Sequence, residues 1–171
     1  MTATAPDRAR RSHRLFIIAI TIAVVVILAD QLTKWWAETA LAGGKVIHVI
    51  GDALRFVLVY NPGAAFSIGT GFTWIFAIVA AIAAGAIGWY AWRVRSLGRA
   101  IGLGLVLGGA VTHLGDRLFR EPGFARGHVV DFIAYGNFFI GNVADIAIVG
   151  GAILFVVVML VEGRRADAAR P

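Results

Sequence analysis

The sequence predicts an all-α integral membrane protein: four transmembrane helices with a small extracytoplasmic β-hairpin or sheet element between spans one and two. Three observations predict it. Of the 171 residues 59% are hydrophobic and only 15% charged, with a mean hydropathy of +0.80, whereas a soluble domain carries about a quarter charged residues. Four apolar segments, Leu15 to Ala29, Phe72 to Trp92, Ile101 to Leu114 and Phe138 to Val161, are each bounded by charged or turn-forming residues. Between the first two, Val46 to Ile50 and Leu54 to Tyr60 are rich in β-branched and aromatic residues around Gly51-Asp52, the pattern of a short hairpin.

The second and fourth segments reach the roughly 20 residues that span a bilayer, while the first and third need their small or weakly polar flanks. Arg8, Arg10, Arg11 and Arg14 precede the first segment as in a secretory signal, but no clean small-x-small site follows it, so it is expected as a retained signal anchor. That span is expected to end at Asp30-Gln31-Leu32-Thr33-Lys34, with an outer loop from Lys34 to Thr70. Gly104 and Gly108, four residues apart in the third segment, let helices approach closely. One membrane domain covers residues 1–171, with flexible tails expected at about 1–13 and 163–171.

Charge sets the orientation. The net charge is +6, yet the basic residues sit at the ends of apolar runs and form no stripe, so nucleic acid is not an expected partner. Ten lysines and arginines (Arg8, Arg10, Arg11, Arg14, Arg93, Arg95, Arg99, Arg164, Arg165, Arg170) fall on one side and six (Lys34, Lys45, Arg55, Arg117, Arg120, Arg126) on the other. The positive-inside rule then puts both termini in the cytoplasm.

Polar residues in or beside apolar spans are costly and mark function or internal pairing. Asp30 and Lys34 stand at i, i+4, as either a helix-end salt bridge or a substrate-facing pair. Asn61-Pro62-Gly63-Ala64-Ala65-Phe66-Ser67 joins small residues to an amide that both donates and accepts. Asp116, with Arg117 beside it and Arg120 four residues on, is expected to stay ionised as a structural anchor. Asp131 and Asp145 differ, since both have apolar sequence neighbours. Two such carboxylates brought together cannot both ionise, so one holds a proton as acid while the other serves as base, the arrangement of an aspartic protease. Each could equally cap a helix or loop. With no cysteine among the residues, and with His13, His48, His113 and His128 dispersed, no metal site or cofactor is expected. Serine catalysis has only a Ser67–Lys34 pairing to offer.

As a set, these motifs resemble the prolipoprotein signal peptidases, or signal peptidase II. Asp30-Gln31-Leu32-Thr33-Lys34, Asn61-x-Gly63-Ala64-Ala65-Phe66-Ser67, Gly108-Gly109-Ala110 leading to Asp116-Arg117, Val129-Val130-Asp131-Phe132 and Asn142-Val143-Ala144-Asp145 occur in that family's order. The resemblance implies a membrane aspartic endopeptidase of the bacterial inner membrane, active near its outer face, that cuts prolipoproteins just before the diacylglyceryl-modified cysteine. It implies Asp131 and Asp145 as the catalytic pair, with Asp30, Lys34, Asn61, Gly63, Arg117 and Asn142 supporting the dyad or holding substrate; His113 and Asp116 join them as candidates. Its partners would be a lipid-modified prolipoprotein and membrane lipids, and the chain is expected as a monomer. Three departures stand out: Thr112-His113 where the family usually has Gly-Asn, Gly141 where it has Phe, and a short stretch from Asp131 to Asp145. The rival reading is a small non-enzymatic binding or ion-transport subunit that uses its acids as a proton path.

Overall fold

The computed structural model describes residues 5–63 and 72–168, with side chains from residue 12 onward. Helix α1 spans Ala5–Ala40, strands β1 and β2 Ile47–Ile50 and Leu54–Asn61, and helices α2 and α3 Thr73–Ala91 and Leu97–Phe119. Strands β3 (Val129–Tyr135) and β4 (Phe139–Gly141) and helix α4 (Val143–Ala168) follow. All four helices are long and apolar enough to cross a membrane. Helix extends to Ala5 and Ala168, into both segments expected as tails.

The helices pack around α3, which touches α1, α2 and α4. Glycine makes this possible: a Cβ at Gly104 would lie 2.6 Å from the Ala19 carbonyl oxygen of α1, and one at Gly109 2.8 Å from that of Ala144 on α4. Gly108 meets Ala23 and Val26 of α1 in the same way, so the close approach expected at Gly104 and Gly108 occurs. Helix α2 is the most lipid-like in its exposure, burying only Thr73, Ala77 and Ala91.

Two features depart from expectation. The first span does not end at Asp30 to Lys34: α1 runs six residues past Lys34 to Ala40. The charges that looked like an interface are both fully buried, at 0% exposure, where α3 supplies their partners. The chain turns only at Gly43 and Gly44, whose φ of 74° and 80° suit glycine. The loop after the first span therefore begins near Leu41, not Lys34.

The β element is also larger than the hairpin around Gly51-Asp52. It is a four-stranded antiparallel sheet in the order β1-β2-β3-β4, half of it drawn from between α3 and α4. Phe138 to Gly141, expected at the start of the fourth span, instead forms the β3–β4 turn and strand β4. Phe132 and Ile133 of β3 pack with Ala37 and Leu41 against Leu54, Phe56 and Leu58, tying the sheet to the overhang of α1. Val129-Val130-Asp131 is buried apolar strand, a run that periodicity alone cannot tell from a loop or a buried helix.

Helix α4 starts where Asn142 and Asp145 cap each other. The Asn142 Oδ1 accepts from the Asp145 N–H at 3.1 Å, and Asp145 Oδ2 accepts from the Asn142 N–H at 2.9 Å. This is the reciprocal geometry of a capping box. Asp145 thus serves as a cap as well as a candidate acid.

Candidate active site

Strand β3 brings Asp131 opposite Val59 of β2, and the cap of α4 brings Asp145 beside it. Asn142 joins them. Its side-chain N–H donates to Asp131 Oδ1 at 2.6 Å while its backbone N–H holds Asp145 Oδ2. The remaining oxygen of each acid has its own partner: Asn61 Nδ2 donates to Asp131 Oδ2 at 2.9 Å, and His113 Nε2 lies 3.1 Å from Asp145 Oδ1. Both carboxylates line one cavity of about 200 Å³ with Asn61, Gly63, His113 and Arg117. Phe76, Ala80, Val129 and Phe139 complete its wall.

The environments of the two acids differ. Asp131 is 4% exposed, and burial, opposed by the Asn61 hydrogen bond and reinforced by the Asp145 charge, pushes its carboxyl up to about 6. Burial dominates because a carboxylate loses more solvation than two amide donors return. The Asp145 side chain is 29% exposed. One acid is therefore set to hold a proton close to neutral pH, and the other faces the open side of the cavity.

Arg117 shapes the floor of the site and does not pair with Asp116. Its Nη1 donates to the carbonyl oxygens of Asn61 and Gly127, each at 3.0 Å, and its Nη2 donates to that of Gly63. One guanidinium thus ties the end of β2 to the approach to β3, which sets the spacing of Asn61 from Asp131. Asn61 Oδ1 also accepts from the Gly63 N–H at 2.9 Å, a tight local turn.

Asp30, Lys34 and Asp116 stand behind the cavity. Lys34 Nζ is 2.6 Å from both Asp30 Oδ2 and Asp116 Oδ2, bridging α1 to α3. Asp30 Oδ1 accepts from the Ala144 N–H at 2.9 Å, so the same acid holds the first turn of α4 one residue before Asp145. Asp116 also receives Arg120 Nε at 2.8 Å and Gln31 Nε2 at 2.9 Å. Thr112 donates to Asp30 at 2.6 Å. Buried charges survive when each is paired and hydrogen-bonded, and here every oxygen of Asp30 and Asp116 has a donor.

Of the candidates named from sequence, the cavity gathers Asn61, Gly63, His113, Arg117, Asp131 and Asp145. Asn142, Asp30, Lys34 and Asp116 support it from behind. Gln31, Glu38, Phe76 and Phe139 are not among the sequence candidates, and Thr112 enters there only as a departure from the family. Gln31 at least carried a signal, an amide between Asp30 and Lys34 at the end of an apolar run. Ala64, Ala65, Phe66 and Ser67 lie outside the described residues, as does any Ser67–Lys34 pairing. Among the described residues no group of three His, Cys, Asp or Glu is arranged to hold a metal ion.

A family model described as signal peptidase (SPase) II matches residues 22–161. The lipoprotein signal peptidase of Leifsonia xyli subsp. xyli is 45% identical over 94% of this chain and 76% of that protein. That of Mycobacterium avium is 45% identical over 92% of this chain and 85% of its own length. A bacterial membrane enzyme solved by the in meso method at 2.3 Å resolution is similar in structure, with a TM-score of 0.75 and 30% identity over 85% of this chain and 88% of that one.

Proposed function

The chain belongs to the signal peptidase II family of aspartic-type membrane proteases, and on that premise we propose that it removes the signal peptide of bacterial prolipoproteins. It cuts just before the diacylglyceryl-modified cysteine, using Asp131 and Asp145 to activate water. The observation that carries this reading is the bridging of two carboxylates by Asn142 at one cavity.

Asp131, whose ionised form is disfavoured by burial, holds the shared proton, and Asp145 takes a proton from the attacking water. Hydroxide adds to the peptide carbonyl carbon as Asp131 passes its proton to the carbonyl oxygen. Collapse of the gem-diol returns that proton to Asp131, breaks the C–N bond and lets the amine leave with the proton from Asp145. Asn61, Asn142 and His113 orient the carboxylates, Arg117 and Gly63 hold the loop walls, and Asp30, Lys34 and Asp116 anchor the helices beneath. His113, where the family usually has an amide, still offers a donor to Asp145.

The site lies where the sheet meets the ends of α3 and α4. With both termini in the cytoplasm, as the basic residues favour, this is the outer face of the inner membrane. A diacylglyceryl anchor then holds the scissile bond at the depth of the dyad and supplies effective concentration. The chain acts as a monomer, with membrane lipids as its solvent. Incubating the purified protein with lipidated and unlipidated forms of one prolipoprotein tests the reading. Cleavage of the lipidated form alone, with the modified cysteine at the new N-terminus by mass, is expected. A cut elsewhere, or equal cutting of both forms, would overturn it.

A further inference from the structure

A second cavity, of about 470 Å³, meets the first at Asn61, Asp131 and Phe139. The catalytic carboxylate of β3 thus stands at the junction of two spaces. The first runs between the helices, walled by Phe76 and Ala80 of α2. The second lies along the sheet, lined by Arg55, Val59 and the β3–β4 turn at Gly136 and Asn137. A peptide bond held at the junction has chain on both sides, so two spaces suit its two directions. The one between the helices matches a membrane-spanning signal segment, which would enter past Phe76 and Ala80. The sheet-side one matches the chain beyond the cut, which leaves the bilayer.

Arg55 gives that second space a charge. Its Nη2 donates to the Gly136 carbonyl oxygen and to Asn137 Oδ1, both at 2.9 Å. Its Nε is buried without a partner. Among the described residues none of the ion pairs involves Arg55. A guanidinium has five N–H donors in a fork that fits a carboxylate, so this cation is under-used by its own fold.

Resting on the functional reading above, we propose that the sheet-side cavity is the subsite for the mature part of the substrate, and that Arg55 selects an acidic side chain there. Arg55 stands opposite Ala134, three residues along β3 from Asp131. At about 3.3 Å per residue that is about 10 Å, the reach of roughly three extended residues. The acid is therefore recognised two to four positions beyond the scissile bond.

The test uses three lipidated prolipoproteins that carry Asp, Asn or Lys at those positions, with the full-length protein in phosphatidylcholine bilayers. The readout is the Asp to Lys ratio of kcat/KM within each variant, which is blind to the fraction of protein that folds. Wild type should favour Asp by on the order of five- to tenfold, the size of a partly buried charge pair. Arg55→Lys should keep the preference, Arg55→Gln should abolish it and Arg55→Glu should reverse it. Equal ratios in wild type and Arg55→Gln would overturn the subsite while leaving the protease intact. A wild-type protein that cuts none of the three substrates would contradict the functional reading itself, and the subsite with it. In a further arm phosphatidylglycerol replaces part of the lipid. An Arg55→Gln effect on lipid dependence with none on the substrate ratio would assign the cation to a headgroup phosphate and overturn the proposal.

Discussion

Asp131 illustrates how a single side chain is placed at a cost to the fold. Its carboxyl is raised from the usual 3.8 to about 6, chiefly by burial. Below about pH 4 the group is neutral folded or unfolded and costs nothing. Between about pH 4 and 6 the unfolded chain ionises this acid while the folded state keeps it protonated, so stability falls across that window and the loss is complete above 6. Two pH units correspond to at most about 3 kcal/mol. Asp131→Asn should therefore melt higher than wild type at pH 7.5, with the difference shrinking toward pH 4. A difference that does not change with pH would contradict this. Asp116 is the contrast, because Lys34 and Arg120 hold it at 2.6 and 2.8 Å. Asp116→Asn leaves buried Lys34 and partly exposed Arg120 short of a charge, and breaking a buried pair typically costs about 3–5 kcal/mol. Its folded yield and melting temperature should fall, and activity should fall only in proportion. A well-folded but inactive Asp116→Asn protein would place Asp116 in the chemistry.

Among the elements, α3 and the sheet divide the work of positioning. Helix α3 carries Thr112, His113, Asp116 and Arg117 on successive turns, and its glycines let α1 and α4 close on it. A side chain at Gly109 would meet Ile148 Cγ1 at 2.5 Å and the Ala144 carbonyl oxygen at 2.8 Å, in the turn that carries Asp145. Gly109→Val should cost about 1–3 kcal/mol by overpacking and lower activity beyond the loss of folded protein. Gly115, with nothing within 4 Å of an added Cβ, should accept alanine with a slight gain in stability; the pair is compared by thermal melting and cleavage rate. The spans and the Gly51 turn were legible because hydropathy and turn chemistry are local. Strands β3 and β4 were not, since a buried strand such as Val129 to Ala134 loses its alternation and Phe138 to Gly141 blends into the apolar run of α4. The end of α1 was misread for a related reason: Asp30 and Lys34 look like a water-facing terminus until Asp116, 82 residues from Lys34, is brought between the helices.

At the scale of the molecule, the proposed orientation puts both termini on one side of four spanning helices and takes that side as the cytoplasm from the excess of basic residues. Reporter fusions at Pro171 and near Gly51 should report opposite sides, with Pro171 inside. A periplasmic signal at Pro171 would invert the site and remove it from the face where an exported lipoprotein presents its cysteine. The two acids were visible in the sequence as carboxylates in apolar company, and the supporting amides as motif neighbours. What no spacing could reveal is that Asn142 touches both acids, which follows only once β4 and the cap of α4 fold together.

The proposed chemistry rests on Asp131 and Asp145 acting as one unit, and replacing each in turn by Asn tests this most directly. Asn keeps the shape of the side chain but exchanges no proton, so loss of an essential acid or base should slow cleavage at least about 100-fold. The measurement is the single-turnover rate on a lipidated prolipoprotein for wild type, Asp131→Asn and Asp145→Asn, each checked by thermal melting. Both variants should be folded, inserted and slowed by at least that factor. Cleavage near the wild-type rate by either folded variant would show that the two carboxylates do not form the catalytic pair.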